Sequence, residues 1–356
     1  MGKHEAVAEP RKKHTWLWIF LALLVAAGCY AGWFFTKAPS QQKNPGNSAV
    51  TDPDKNPSDP GSPLSGNGSA DPGQSTGDPE DPDAPKVSDG SGRQMKKGYY
   101  TILLAGTTDD YNTDTLMLCS VDSVNKKINI VSINRDTQID VKSNNKKINA
   151  AYGRAGEEAM CADVTEITGV PVNFYVVVNM NSFKEIVDLI GGVQYDVPID
   201  MVHYDPDPKF DINLKKGDQL LDGVKALQFV RFRSTSENDF GRVNRQKDFL
   251  IAAMKQVMAK FSVTQIKDYI EIVNQNLKTN MTVQEMVWFY LNVVKSLDFD
   301  EDVHCDTLPY SSTGYYNSVS YVYLSPAQVV EFVNEYLNPY VDDITEDDVH
   351  IPHYKD

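Results

Sequence analysis

Four of the chain's eight arginines, Arg231, Arg233, Arg242 and Arg245, fall within fifteen residues of one another. A guanidinium is a planar fork of donors that grips phosphate or carboxylate oxygens in pairs. Arg231 and Arg233 are two apart in Val230–Arg233, which reads as a strand, so their side chains share a face. Arg242 and Arg245 are three apart at the start of a helix expected over Gly241–Phe261, and they too share a face. That helix start adds unpaired N–H groups and the positive end of its dipole. The competing reading pairs the four with local acids (Asp222, Glu237, Asp239, Asp248) on a solvated face. Four arginines facing one helix start favour an anion site.

The surroundings make this cluster stand out. The chain of 356 residues has 34 Lys+Arg against 49 Asp+Glu, a formal charge of −15. So acidic a protein lacks the broad basic surface that nucleic-acid binding needs. The four cysteines (Cys29, Cys119, Cys161, Cys305) show no C-x-x-C spacing, which argues against structural zinc and thioredoxin-like chemistry. Cys119 and Cys161 fall in apolar patterns and read as core; no disulfide framework is apparent, although one bridge is open. His350 and His353 flank Pro352 near the chain end and read as surface residues.

The elements that must position the arginines lie outside a membrane. Thr15–Thr36 is 22 residues without a charge, about 33 Å as a helix, enough to span a bilayer. Lys3, Arg11, Lys12 and Lys13 precede it, so residues 1–14 are expected in the cytoplasm and the remainder outside, on a single-pass cell-membrane protein. A cleaved signal is the alternative, but Ala26-Ala27-Gly28-Cys29 makes a poor lipobox and the apolar run continues through Phe35. Residues 37–97 hold 10 prolines, 8 glycines and 9 serines and read as a disordered linker.

Order is expected from residue 98. Tyr99–Ala105, Thr113–Val121 and Ile128–Ile133 are apolar runs typical of strands buried on both faces. Arg154–Thr168 reads as a helix, Asn173–Asn179 as a strand, Ser182–Ile190 as a helix and Val193–Val197 as a strand. Gly223–Phe229 reads as a short helix leading into the Val230–Arg233 strand. Thr282-Val283-Gln284-Glu285 is a capping box, Val303–Pro309 is strand-like, and Ser325-Pro326 opens the last helix. Alternating strands and helices predict an α/β fold, a central mixed sheet flanked by helices. A core over 98–262 and a C-terminal helical and strand part over 263–356, packed on the same domain, are expected.

These motifs together resemble the LytR–CpsA–Psr (LCP) family. The resemblance rests on Thr113-Asp114-Thr115, Ser132-Ile133-Asn134-Arg135-Asp136-Thr137, Lys147-Ile148-Asn149-Ala150-Ala151-Tyr152 and Gly191-Gly192-Val193. It continues through Gly217–Gln228, Val230–Arg233 and Asp239–Gln246, in order along the chain. The resemblance implies a Mg²⁺-dependent phosphotransferase at the outer face of the membrane. It would move a teichoic acid, capsular or other wall polymer from a polyprenyl-pyrophosphate carrier to a peptidoglycan hydroxyl, releasing polyprenyl phosphate. A weakly catalytic module that binds polyprenyl phosphate or wall polymer, or a lipid pyrophosphatase, is the alternative.

By the same resemblance Arg135, Arg231, Arg233, Arg242 and Gln246 hold the pyrophosphate, with Arg245 beside them. Lys147 and Asn149 border that pocket. Asp114 binds Mg²⁺ or lies beside it, and Asp239 orients the arginines or acts as base toward the acceptor; Asp114, Arg135, Asp239 and Arg242 are the expected catalytic set. Two positions depart from the family pattern. Thr108 stands where a second metal carboxylate is usual, leaving Asp109 as its candidate replacement, and Asn112 stands where an arginine is usual. Lys247 in place of a second glutamine reads as minor.

Overall fold

The computed structural model describes residues 37–41, 43–45, 92–108, 111–233, 238–260 and 277–352. The expected membrane span lies outside them, and no helix among the described residues is long and apolar enough to cross a membrane.

A six-stranded mixed sheet organises the molecule, with strands β1 (Tyr99–Thr107), β2 (Thr113–Asp122), β3 (Lys127–Ser132), β4 (Phe174–Asn179), β9 (Leu277–Thr279) and β10 (Val303–Thr307). Their order is β10-β3-β2-β1-β4-β9. β1 pairs antiparallel with β2 and parallel with β4, and β10 runs parallel to β3. The central strands are continuous apolar runs because both faces are covered. One face packs Leu103, Leu118 and Val131 against helix α1 (Ala151–Thr168, through Met160 and Val164) and helix α6 (Pro326–Tyr336, through Val329 and Val333). The other packs Tyr100, Met117, Cys119 and Ile130 under α5 (Val283–Asn292) and α4 (Asn238–Lys260). On this face Tyr100, Phe174 and Phe289 meet edge to face, with ring centroids 5.1 and 5.8 Å apart, contacts that add to area burial. Residues 277–352 thus supply strands and helices to the same layers as residues 92–260.

α4 carries two apolar stripes and joins two cores. Leu250, Ile251 and Met254 face the sheet, while Phe249, Ala252, Ala253 and Val257 face a smaller cluster. That cluster includes α2 (Met180–Leu189), α3 (Gly223–Arg231) and the paired strands β5 (Val193–Val197) and β8 (Gly217–Leu221). Two short strands, β6 (Met201–His203) and β7 (Ile212–Leu214), close it. Side-chain caps set the helix starts: Asn179 for α2, Asp222 for α3, and Thr282 with Glu285 as a capping box for α5.

Two expectations are corrected here. Val230–Arg233 is not a strand: α3 runs through Arg231, because Asp222 caps it and Ala226 and Phe229 are buried at helical spacing. Residues 37–97 are not all linker, since the part described near Gln41 is docked on the domain. Gln41 Nε2 donates to the Lys96 and Tyr99 carbonyls at 2.8 and 2.7 Å. Asn173 Nδ2 donates to the Gln41 carbonyl at 2.9 Å, and Lys43 pairs with Glu285 at 2.8 Å. The docking is polar and specific, so a composition scan for apolar residues passes over it. The cysteines at 119, 161 and 305 are free, which closes the option of a bridge among the described residues.

Candidate active site

The site begins where the sheet breaks step. β1 and β2 pair regularly from Tyr99 with Asp122 to Gly106 with Thr115, and the next pair is Thr107 with Thr113. Asp114 is therefore the extra residue of a β-bulge, a device that re-aims a side chain at a sheet edge or active site. Its Oδ1 pairs with Arg135 Nη1, and its Oδ2 accepts from Thr108 Oγ1 at 2.8 Å. The loop before it rests on α1 at Gly153, where a Cβ would lie 2.4 Å from the Tyr111 carbonyl oxygen.

Arg135 sits in the turn that follows β3. The Asn149 N–H donates to the Arg135 carbonyl at 3.2 Å, and the Asp136 N–H to Asn134 Oδ1 at 3.0 Å. Lys147 Nζ approaches Asp136 Oδ1 at 2.9 Å, and Arg135 Nε lies 3.6 Å from the same oxygen. Asn149 is itself buried, and Thr113 Oγ1 donates to its carbonyl at 3.4 Å. Lys147 and Asn149 thus hold the Arg135 turn rather than line the cleft.

α4 closes the cleft from above. Asp114, Thr115, Ser132, Asn134 and Arg135 form its sheet side, and Arg242, Val243 and Gln246 its helix side. Arg242 and Gln246 are four apart and share a face of α4. Arg242 is 4 % exposed, so its cation is largely removed from water and acts through a low-dielectric environment.

The remaining predicted residues lie elsewhere. Arg245 is buried, but its Nη2 donates to the Phe232 carbonyl at 2.6 Å, holding the segment between α3 and α4. Arg231 stacks over the Phe210 ring at 4.6 Å from α3's last turn, and Arg233 is exposed just beyond it. The two do not share a strand face, and neither lines the cleft that Arg135 and Arg242 share. Asp239 falls in α4's first turn, with its side chain outside the described residues, as Asp109 is entirely. Reading the sequence by charge missed Ser132, Asn134 and Thr108. Ser132 had one signal: a small hydroxyl ending a strand of apolar residues.

A metal at this cleft has a defined donor set. Mg²⁺ takes one or two carboxylates with phosphate oxygens and water. Asp114 offers one carboxylate, and among the described residues no group of three or more His, Cys, Asp or Glu could form a cage. The donors suit a Mg²⁺ ion shared with a phosphate ligand. The cysteines are not alternatives, since burial pushes the Cys161 thiol up to about 12 and that of Cys305 to about 11.

Fold and cleft describe an α/β domain in which Arg135, Arg242 and Gln246 meet Asp114 between the ends of β2 and β3 and a helix. The chain belongs to the LytR_cpsA_psr family, whose model matches residues 70–337. It is 33% identical over 204 residues to the polyisoprenyl-teichoic acid–peptidoglycan teichoic acid transferase TagV of Bacillus subtilis, covering 54% of this chain and 52% of that one. A TagU of the same description from Bacillus cereus is 35% identical over 210 residues, 57% of this chain and 67% of that one. The chain thus spans about half the length of the TagV relative. The crystal structure of B. subtilis TagV superposes with a TM-score of 0.56 at 27% identity, covering 67% of this chain and 95% of that one. TagT bound to LIIa-WTA shares the fold at a TM-score of 0.55 and 24% identity, covering 67% and 89%.

Proposed function

We propose that this protein transfers a wall glycopolymer from a polyprenyl-pyrophosphate carrier to a peptidoglycan hydroxyl at the outer face of the cell membrane, anchored by residues 15–36. The observation that carries the reading is the convergence of Arg135, Arg242 and Gln246 on the bulged Asp114 in one cleft. Phosphoryl transfer is catalysed by fixed charge placed where the equatorial and leaving oxygens gain it. Arg242, buried on α4, and Arg135, held by its turn, would take the two phosphates, with Gln246 donating between them. Asp114 would hold Mg²⁺, which when bound supplies further neutralisation of phosphate charge. An acceptor hydroxyl attacks the phosphorus bearing the polymer; the bond to the bridging oxygen breaks, and polyprenyl phosphate leaves. The proton of the hydroxyl passes to a base, the role proposed for Asp239.

The full chain in detergent, given a short polyprenyl-pyrophosphate glycan, Mg²⁺ and peptidoglycan fragments, tests this. Transfer of label to the peptidoglycan supports the proposal. Release of the glycan phosphate into water with acceptor present would instead make it a pyrophosphatase, and tight binding without either product a capture module.

A further inference from the structure

Residues 307–330 carry no charged side chain, in a chain that is 23% charged. The run holds Tyr310, Tyr315, Tyr316, Tyr321 and Tyr323 among Ser, Thr, Asn and Gly. Such a composition marks surfaces that bind through large, stiff amphipathic rings and small adaptable hydrogen-bonding groups. The run begins at the cleft. Thr307 ends β10 and pairs with Ser132, a lining residue, and the Leu308 N–H donates to the Ser132 carbonyl at 2.9 Å. Tyr310, two residues on, is 38% exposed.

Next in the run is a hairpin, β11 (Ser312–Tyr316) and β12 (Val319–Tyr323), closed by Asn317 and Ser318. Both loop residues have left-handed backbones, at φ 49° and 63°, as in a tight two-residue turn whose twist matches its strands. The hairpin is fastened to the turn that carries Arg135. The Val322 N–H donates to the Asp136 carbonyl at 2.9 Å, and the Gln138 N–H to the Val322 carbonyl at 3.0 Å. Tyr321 and Tyr323 are buried, and Lys147 Nζ lies 5.9 Å from the centre of the Tyr321 ring. Tyr323 Oη donates to the Tyr315 carbonyl at 3.0 Å, and a Cβ on Gly314 would lie 2.8 Å from the Tyr323 ring. The opposite face carries Thr313, Tyr315 and Ser320, because Tyr315 pairs with Ser320 and Thr313 is two residues away. All three are exposed, Tyr315 by 63%. A single exposed tyrosine is ordinary. This one stands on a backbone pinned by a second tyrosine, in an uncharged ridge that starts at the cleft.

We propose that this hairpin, with Tyr315 as its anchor and Tyr310 leading to the cleft, is a platform for the glycan backbone of the acceptor, an uncharged chain of β-linked N-acetylhexosamines. The inference rests on the reading of the protein as a glycopolymer transferase and deepens it by giving the acceptor a place. The apolar C–H face of a pyranose ring stacks on a tyrosine ring, and its hydroxyl and acetamido groups meet the hydroxyls of Thr313 and Ser320. The missing charge suits that partner: an anionic polymer finds no cation in residues 307–330 to pair with, and a neutral sugar strands no ion. Tyr315 is thus a positioning residue, holding the acceptor strand without touching the reacting atoms.

The test uses the full chain in detergent. Binding of chitotetraose, an uncharged N-acetylglucosamine oligomer, is read by saturation-transfer NMR. Transfer from a polyprenyl-pyrophosphate glycan to peptidoglycan chains gives separate KM values for donor and acceptor. Tyr315→Ala is expected to weaken oligomer binding and raise acceptor KM, each about fivefold or more, with donor KM and kcat within about twofold of wild type. Tyr315→Phe keeps the ring and should stay within about twofold in every measurement. Oligomer binding should also be the same at low and high salt, since the ligand is neutral. Unchanged oligomer affinity and acceptor KM in folded Tyr315→Ala overturn the platform and leave the transferase reading intact. Wild-type protein that does not bind the oligomer overturns the platform too. Tyr315-dependent oligomer binding without any transfer upholds the glycan platform and removes the transferase reading instead. A wild-type dimer in sedimentation that Tyr315→Ala dissociates would give the ridge to a second copy of the chain and overturn the proposal.

Discussion

Arg135 is paired with the carboxylate of Asp114 across the mouth of the cleft, so the expected phosphate-binding cation and the expected metal ligand neutralise each other in the unliganded protein. Each is about a quarter exposed, at 26% and 28% of the side chain. A pair so placed is worth little in stability, below about 1 kcal/mol. Under the proposed function its significance is competitive: a pyrophosphate would displace Asp114 from Arg135, and a Mg²⁺ ion would take up the released carboxylate.

This competition makes a prediction of opposite signs. Asp114→Asn should tighten metal-free pyrophosphate binding by about two- to fivefold, the strength of an exposed ion pair. The same variant should lower Mg²⁺-dependent turnover by about 10²-fold. Titration without metal and a transfer assay with it check the two halves, and a loss of binding in both would refute the competition.

Arg242 and Arg245, three residues apart, should separate cleanly. Arg242→Ala removes a buried cation from the cleft and should cost about 10²-fold or more in turnover with pyrophosphate affinity falling too. Arg245→Ala removes the donor to the Phe232 carbonyl and should cost about 2–4 kcal/mol of stability, read as a lower melting temperature. Residual activity of folded Arg245→Ala should exceed that of Arg242→Ala.

Gly153 tests the seat of the bulged loop from outside the cleft. A Cβ there would stand 2.4 Å from a backbone oxygen of Tyr111, so the loop must move. Gly153→Ala should cost about 1–3 kcal/mol and reduce turnover although no cleft side chain has changed. Wild-type turnover in this variant would show that Asp114 is positioned by the bulge alone.

Far from the cleft, Asp163 on α1 gives a pH signature. Burial pushes its carboxyl up from 3.8 to about 6, and the Arg154 guanidinium, 2.5 Å away, offsets this only in part. The folded state then holds a proton that the unfolded state releases, so the contribution is fully present below pH 3.8 and is lost as pH rises through about 6. The change is on the order of 3 kcal/mol, from about 1.4 kcal/mol per pH unit. Chemical denaturation of wild type and Asp163→Asn between pH 4 and 7 should show the wild type losing stability relative to the variant as pH rises.

Much of this was legible in the residues. Apolar runs located β1 to β4, the Thr282–Glu285 capping box located α5, and the family resemblance, rather than spacing, picked out Gln246 beside Arg242 on the helix side of the cleft. Val230–Arg233 misled because alternating Val, Arg and Phe imitates a strand. The Asp222 cap, eight residues before Val230, starts a helix that runs through Arg231, and the burial of Ala226 and Phe229 that holds it is a tertiary fact. The bulge at Asp114 depends on cross-strand register, which no local pattern reveals. Lys247 reads as a minor exchange, because its burial beside Thr307 belongs to the space between α4 and β10.

The docked segment around Gln41 alters the mechanics of the whole molecule. With residues 15–36 taken as the membrane span, the first hold on the domain comes within a few residues of the bilayer, at Pro39, whose carbonyl accepts from Tyr100 Oη at 3.3 Å, and at Gln41. The chain is held on the domain again at Arg93, which pairs with Asp348 at 3.2 Å. Under the proposed anchoring, the few residues before Pro39 would then set how far from the lipid headgroups the cleft operates, as a short bracket does for a tool.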